Sequence, residues 1–233
     1  MEYERDWLRA VEQTWMVRFP KQSLATFGST NIAYYVVTEP IYQELQKDQR
    51  EGVVRTGRVI AERPAVITPT YAMHLQGFSD EAYEYFRHIA QEYGANSPGI
   101  LYQYRNESEK TDIVSGVPEE IARRIADDLE RKNENLTVVM VGVDEYWDVA
   151  LLKFIYEFTA SSAAQNVHDF QSSRLLDPQP GLGGVPRAAV TQIDKLFREV
   201  EMGGDPDNLK RELDRWGLFD RYEDRFLRLF RRK

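Results

Sequence analysis

No cysteine occurs among the 233 residues. That one absence removes disulfides, thiolate zinc sites, iron–sulfur clusters and a cysteine nucleophile together. A reducing compartment suits such a chain, and a cytoplasmic location is the expectation. Histidine is nearly as scarce. His74, His88 and His168 stand far apart without metal-ligand spacing, and none shares a nucleophile motif with a serine, so a hydrolytic triad has no support. An ordinary surface or half-buried position is the simpler account of His88 and His168.

Long apolar runs are missing as well. The chain is charged from its second residue, shows no apolar stretch of the signal-peptide kind near its start, and never approaches the roughly 18 uninterrupted apolar residues of a membrane span. Neither secretion nor membrane insertion is expected. Excess basic charge is also lacking: a net charge of −8 argues against broad nucleic-acid binding, which depends on neutralising phosphates.

What is present is the material of a folded domain. With 42% hydrophobic and 29% charged residues, the chain is long enough to bury roughly 70% of the surface that its unfolded form exposes. Trp7, Leu8, Val11 and Trp15 are spaced as one face of a helix over Tyr3 to Trp15. After the Phe19-Pro20 break, the β-branched and aromatic run Asn31 to Thr38 predicts a strand ended by Pro40, with a short helix over Ile41 to Gln46. Val53 to Arg58 and Val59 to Thr68 read as two extended segments joined around Gly57, a peripheral ribbon. Ser79-Asp80-Glu81 opens a helix whose apolar face runs through Tyr83, Phe86, Ile89, Ala90 and Tyr93 to Gly94.

Ile100 to Arg105 alternates as a strand, with the polar Asn106 to Lys110 linking it to a short strand at Asp112 to Val114 in a hairpin. Pro118 sits just inside a helix reaching about Lys132, and Asn133 to Asn135 leads into the apolar run Thr137 to Val143. A buried, parallel strand is the simplest reading of that run. Asp144 then caps a helix carrying Trp147, Leu151, Phe154, Ile155 and Phe158 as far as the small residues Ser161 to Ala164. Asp177 to Pro186, with three prolines and three glycines, reads as a linker. Helices follow near Arg187 to Glu201, Asp207 to Trp216 and Leu218 to Arg231. The expected organisation is an α/β domain over 1–176 with a mixed sheet of about four to six strands, a linker over 177–186, and an all-helical C-terminal subdomain over 187–233 packed on the first.

Candidate chemistry concentrates in the β-α-β-α unit from Asp112 to Thr159. A right-handed crossover would bring the carboxyl ends of its strands to one sheet edge, with Ser115-Gly116 and Asp144-Glu145 adjacent or one strand apart. Ligands of open α/β sheets bind at such an edge. There Ser115, Gly116, Asp144, Glu145 and Glu39 would form a ligand rim, and Asp144, Glu145 and Asp148 could hold magnesium through oxygen and water. Helix capping is the more ordinary role for Asp144. The run Gly181 to Gly184 follows no predicted strand and lacks a Walker lysine, so it reads as linker rather than phosphate loop.

Tyr102 and Tyr104 offer a stacking surface, or simply the half-exposed face of an alternating strand. Phe226, Leu229 and Phe230 form the apolar side of a terminal helix whose other side is basic, suited either to its own domain or to a docking or self-association contact. No catalytic set assembles and no cofactor is evident. The first expectation is therefore a soluble intracellular binding or protein-interaction module, with a protein partner or self-association. The alternative is a magnesium-assisted hydrolase or phosphoryl-transfer enzyme working at the strand ends.

Overall fold

The computed structural model of the protein describes residues 3–42, 50–72, 87–88 and 90–230. The expected helices over Ile41 to Gln46 and from Ser79 to Gly94 fall mostly outside the described residues, as does His74; residues 90–93 are helical. The chain is α/β, with a mixed five-stranded sheet, flanking helices and a helical C-terminal region. It divides into two compact units, Met1–Pro64 with Tyr102–Asn166, and Ala65–Leu101 with Val167–Lys233.

The first unit contains α1 (Tyr3–Gln13), β1 (Trp15–Arg18), β2 (Thr30–Glu39), β3 (Glu51–Ala61), β6 (Tyr104–Ser115), α3 (Pro118–Arg131), β7 (Thr137–Val143), and α4 (Trp147–Ser172) as far as Asn166. The sheet order is β1-β7-β2-β3-β6. β2 and β7 run parallel from Ala33↔Thr137 to Glu39↔Val143, and every other pairing is antiparallel. β7 is nearly all β-branched because both its faces are covered. Val139 and Val141 pack with Val37, Val54, Ile121 and Leu129 on the α3 side, while Val138 and Met140 pack with Ile32, Tyr34, Val36, Phe154 and Phe158 on the α4 side. The expected strand over 137–143 and helix from Pro118 are both present, and α3 starts with Pro118, Glu119 and Glu120 and ends with Arg131, in line with its dipole. Asn133 takes φ 55° at the exit.

Four local expectations are corrected. Trp15 belongs to β1, not to the first helix, because α1 stops at Gln13. There Thr14 Oγ1 donates to the Ala10 carbonyl at 2.8 Å, and Lys153 Nζ donates to the carbonyls of Val11 at 3.0 Å and Thr14 at 2.6 Å, satisfying acceptors that a helix end leaves open. The segment around Gly57 is no joint: β3 is one continuous strand lying inside the sheet between β2 and β6. Glycine is required there by close approach. A Cβ at Gly57 would lie 2.5 Å from the Glu107 carbonyl oxygen and would also meet the Tyr34 hydroxyl.

The polar run Asn106 to Lys110 is likewise no hairpin link, because β6 is a single 12-residue edge strand whose solvent exposure explains its polarity. Finally, Ser161 to Ala164 lies within α4 instead of ending it. The small side chains admit the preceding loop: Ser162 Oγ accepts from the Leu24 amide at 3.1 Å, and Asn166 Nδ2 donates to the Leu24 carbonyl and to Thr26 Oγ1, both at 2.9 Å.

Among its described residues the second unit holds a two-stranded sheet of β4 (Ala65–Ile67) and β5 (Gly99–Leu101), the short α2 (Pro69–Ala72), the end of α4, and three C-terminal helices. These are α5 (Arg187–Glu201), α6 (Pro206–Arg215) and α7 (Phe219–Arg228), close to their expected bounds. Its main core gathers Tyr71, Ile193, Leu196, Phe197, Leu209, Leu213 and Trp216. Residues 177–186 close on themselves: Gln179 N donates to the Val185 carbonyl at 2.8 Å and Arg187 N to that of Asp177 at 2.9 Å. Val185 and Leu182 point into the core.

Two outcomes follow from this packing. Gly57→Ala is expected to destabilise the first unit by about 1–3 kcal/mol, the range for overpacking a closed site, read as a lower midpoint in urea. In the second unit, burial and the neighbouring Glu212 push the Tyr71 hydroxyl up to about 12 from 10.0. The unfolded chain therefore loses that proton first, and stability falls as pH rises from about 10 toward 12. Tyr71→Phe removes this alkaline component, which pH-dependent unfolding of the wild type and the variant side by side would show.

Candidate functional site

The carboxyl ends of β2, β7 and β6 do point to one edge, because β6 is antiparallel to β3 and β3 to β2. Glu39 stands beside Val143, next to Asp144, and Ser115 stands beside Glu51. β2 and β3 lie between β7 and β6. Ser115-Gly116 and Asp144-Glu145 are therefore two strands apart, farther than the adjacent or one-strand separation expected from the sequence.

Asp144 does not cap its helix. A 3₁₀ turn over Asp144–Tyr146 precedes α4, and no side chain caps that turn. Asp144 Oδ1 instead accepts from Thr38 Oγ1 at 2.6 Å and from Arg55 Nη1 at 2.7 Å, and Arg55 Nη1 also lies 2.9 Å from Thr38 Oγ1. The Arg55 guanidinium sits 5.7 Å from the centroid of the Trp147 ring. This cluster ties β2, β3 and the end of β7 together. Glu145 and Asp148 are exposed. Among the described residues no three His, Asp or Glu side chains converge as a metal-ligand set, and Arg55 already answers the charge of Asp144. The residues at this rim do not fit a magnesium site.

The aromatic candidates turn inward. The Tyr102 hydroxyl donates to Asn166 Oδ1 at 2.9 Å, Tyr104 is hydrogen-bonded to Thr159, and both rings pack against the core on the α4 side. Burial raises the hydroxyl pKa of each. Phe226 is buried in the core of the second unit, Leu229 packs partly against it, and Phe230 is 52% exposed.

A different place in the first unit has the properties of a ligand site. Between α3 and the sheet lies a cavity of about 380 Å³, within the range of roughly 300–1,000 Å³ for small-molecule pockets. Tyr35, Thr56 and Lys110 stand in one row across β2, β3 and β6 along its floor, with Val54 and Asp112 in the next row. Ile121, Arg124 and Ile125 of α3 close the other side. A bulge shapes the wall: Thr56 faces Lys110 while Gly57 faces Ser108, leaving Glu109 as the extra residue.

Thr56 is 8% exposed, and its Oγ1 has no hydrogen-bond partner among the described residues. A buried hydroxyl without a partner costs about 1–3 kcal/mol, and among the described residues Arg18 Nε on β1 is the other buried side-chain atom left in that state. The charges around it are sorted. Lys110 pairs with Asp112 at 2.8 Å, and Arg58 outside the cavity takes Glu109 at 2.8 Å. The bond to Asp112 also raises the Lys110 pKa. Arg124 has no ion-pair partner among the described residues and is the charge left over. None of these residues carries a sequence motif. Thr56 beside Gly57 was the available signal, since glycine inside a strand marks a bulge or a close approach.

Comparison with known proteins gives no match, whether to family models, to curated proteins or to solved structures.

Asp144→Ala is expected to cost about 2 kcal/mol, below the ~3–5 kcal/mol of a fully buried pair because the cluster touches solvent. In a double-mutant cycle with Arg55→Met, the two losses should fall short of adding by at least about 1 kcal/mol. Strict additivity in urea unfolding would remove the coupling described here.

Proposed function

We propose that this protein is a binding module whose ligand is a small organic anion held between α3 and the sheet. The observation that carries the reading is the unpartnered Thr56 Oγ1 on the floor of the cavity. An unmade buried hydrogen bond is worth retaining where a ligand completes it. Tyr35, Val54, Ile121 and Ile125 supply apolar and aromatic surface for the body of the ligand. Arg124, with five donors in a planar fork, suits a carboxylate or phosphate head. The roles then divide as in most small-molecule sites: apolar walls give affinity and a few polar groups fix orientation.

The metal-assisted hydrolase or phosphoryl-transfer reading draws no support from this geometry. Its rim residues are separated by two strands, and Asp144 is already engaged by Arg55 and Thr38. No helix among the described residues is long and apolar enough to cross a membrane. The cysteine-free composition suits a reducing compartment, and a cytoplasmic place of action is part of the proposal.

The test is a thermal-shift series with aromatic and short aliphatic carboxylates and phosphate monoesters, followed by calorimetry on any compound that raises the melting temperature. Arg124→Gln is expected to weaken a binding anion roughly tenfold or more, as loss of a charge-assisted hydrogen bond worth about 1.5–3 kcal/mol implies. Thr56→Val, which keeps the volume, should weaken the same compound while leaving the empty protein as stable as before or more so. Binding that neither substitution changes would place the site elsewhere.

A further inference from the structure

Among the described residues β6 borders the sheet and pairs on one side only, with β3. Its run Arg105, Glu107, Glu109, Lys110 and Asp112 makes it the most highly charged of the described strands. Charges on an edge ordinarily prevent pairing with another chain, because like charges come to face each other. The order of charges here has the opposite property.

The bulge at Glu109 changes which residues share a face. Before it, Arg105 and Glu107 lie on the α3 side of the sheet, and Tyr104 and Asn106 on the α4 side. After it, Lys110 and Asp112 lie on the α3 side, and Thr111 and Ile113 on the α4 side. These assignments follow from the partners in β3: Val54 packs with the α3 side, whereas Val59 and Ala61 pack with the α4 side. Directly opposed residues of an antiparallel pair must share a face. For β6 meeting a second β6 across a two-fold axis, a pairing that runs the length of the strand sets residues before the bulge opposite residues after it, and these share a face only where their numbers sum to an odd value.

In the register that sets Arg105 opposite Asp112 of the other copy, Glu107 stands opposite Lys110, Asn106 opposite Thr111, and Tyr104 opposite Ile113. The two-fold axis repeats each pair. Every charged pair is then of opposite sign. A slip of two residues one way sets Arg105 against Lys110, and a slip the other way sets Glu107 against Asp112. Both place like charges together, so the charges select one register and oppose its neighbours. Within one chain Arg105 already pairs with Glu107 at 3.1 Å and Lys110 with Asp112 at 2.8 Å. Joining two copies would merge these pairs into two checkerboards of four charges each on the α3 side. On the other side Ile113, 61% exposed, would gain the partner's Tyr104.

We propose that β6 is a self-association edge, pairing antiparallel with β6 of a second copy in the register that opposes Arg105 and Asp112. The five-stranded sheet becomes a continuous ten-stranded one, and the partner's Arg105 comes to the mouth of the cavity beside Asp112. This holds whether or not the cavity takes a ligand.

The experiment is sedimentation equilibrium across the micromolar range, with unfolding midpoints recorded to show that each variant is folded. The wild type is expected at twice the mass of the chain. Glu107→Lys, which sets lysine against Lys110, should return it to the monomer mass. The paired exchange Glu107→Lys with Lys110→Glu should restore the twofold mass, because each opposed pair across the two strands is again of opposite sign. Since the chain has no cysteine, Asn106→Cys with Thr111→Cys reports the register directly: the two positions lie roughly 16 Å apart along one strand and can bridge only between copies, giving a dimer on a non-reducing gel. A wild type that stays monomeric throughout, a dimer indifferent to Glu107→Lys, or a paired exchange that stays monomeric would each overturn the proposal.

Discussion

The parallel pairing of β2 with β7 is the constraint on which the first unit depends. Parallel neighbours cannot be joined by a short turn, so the chain between them must leave the sheet and return. Here it adds β3, leaves through Ala65–Leu101 of the second unit, returns as β6 and crosses by α3 to β7, which α4 follows. Both strands end up covered on both faces, and alternation along them assigns each side chain to one layer. Ile32, Tyr34 and Val36 face α4, and Tyr35 and Val37 face α3. A slip of one residue would exchange these sets. The Thr38, Arg55 and Asp144 cluster pins the register at the strand ends, joining β2, β3 and the exit of β7 by hydrogen bonds of 2.6–2.9 Å.

That alternation also explains why the two faces differ. On the α4 side a 26-residue helix lays Ala150, Phe154 and Phe158 along the sheet, and Tyr102 and Tyr104 fill the margin. On the α3 side a 14-residue helix covers Val37, Val139 and Val141, but toward β6 it leaves a cavity over Tyr35 and Thr56. The unpartnered hydroxyl, the paired lysine and the unpaired arginine therefore occur where packing is incomplete. At the strand-end rim, by contrast, Asp144 is neutralised by Arg55.

Much of the architecture was legible in the sequence where burial and periodicity coincide. Thr137 to Val143 is apolar because it is buried on both faces, and Pro118 opens α3 because an N1 proline sacrifices no hydrogen bond. The expectations that failed did so where the surroundings of a residue outweighed its type. β6 resembles a loop because an exposed edge tolerates Asn106 to Lys110. Gly57 resembles a turn because glycine serves close approach as well as bending. Ser161 to Ala164 resembles a helix end because small residues serve to admit a loop. The role of Asp144 was hidden for a similar reason: an aspartate after a strand is an ordinary helix cap, and only the pairing of β2 with β3 brings Arg55 to it. The cavity residues come from β2, β3, β6 and α3, and no spacing along the chain joins Tyr35, Thr56, Lys110 and Arg124.

The central claim is that the incompletely packed α3 face, and not the strand-end rim, receives ligand. The most direct measurement is an amide chemical-shift map of the isotopically labelled protein titrated with small carboxylates and phosphate monoesters. Saturable changes concentrated at Tyr35, Thr56, Lys110 and Arg124 are the predicted result. Changes concentrated at Glu39, Ser115 and Asp144, or the absence of any saturable change, would contradict it.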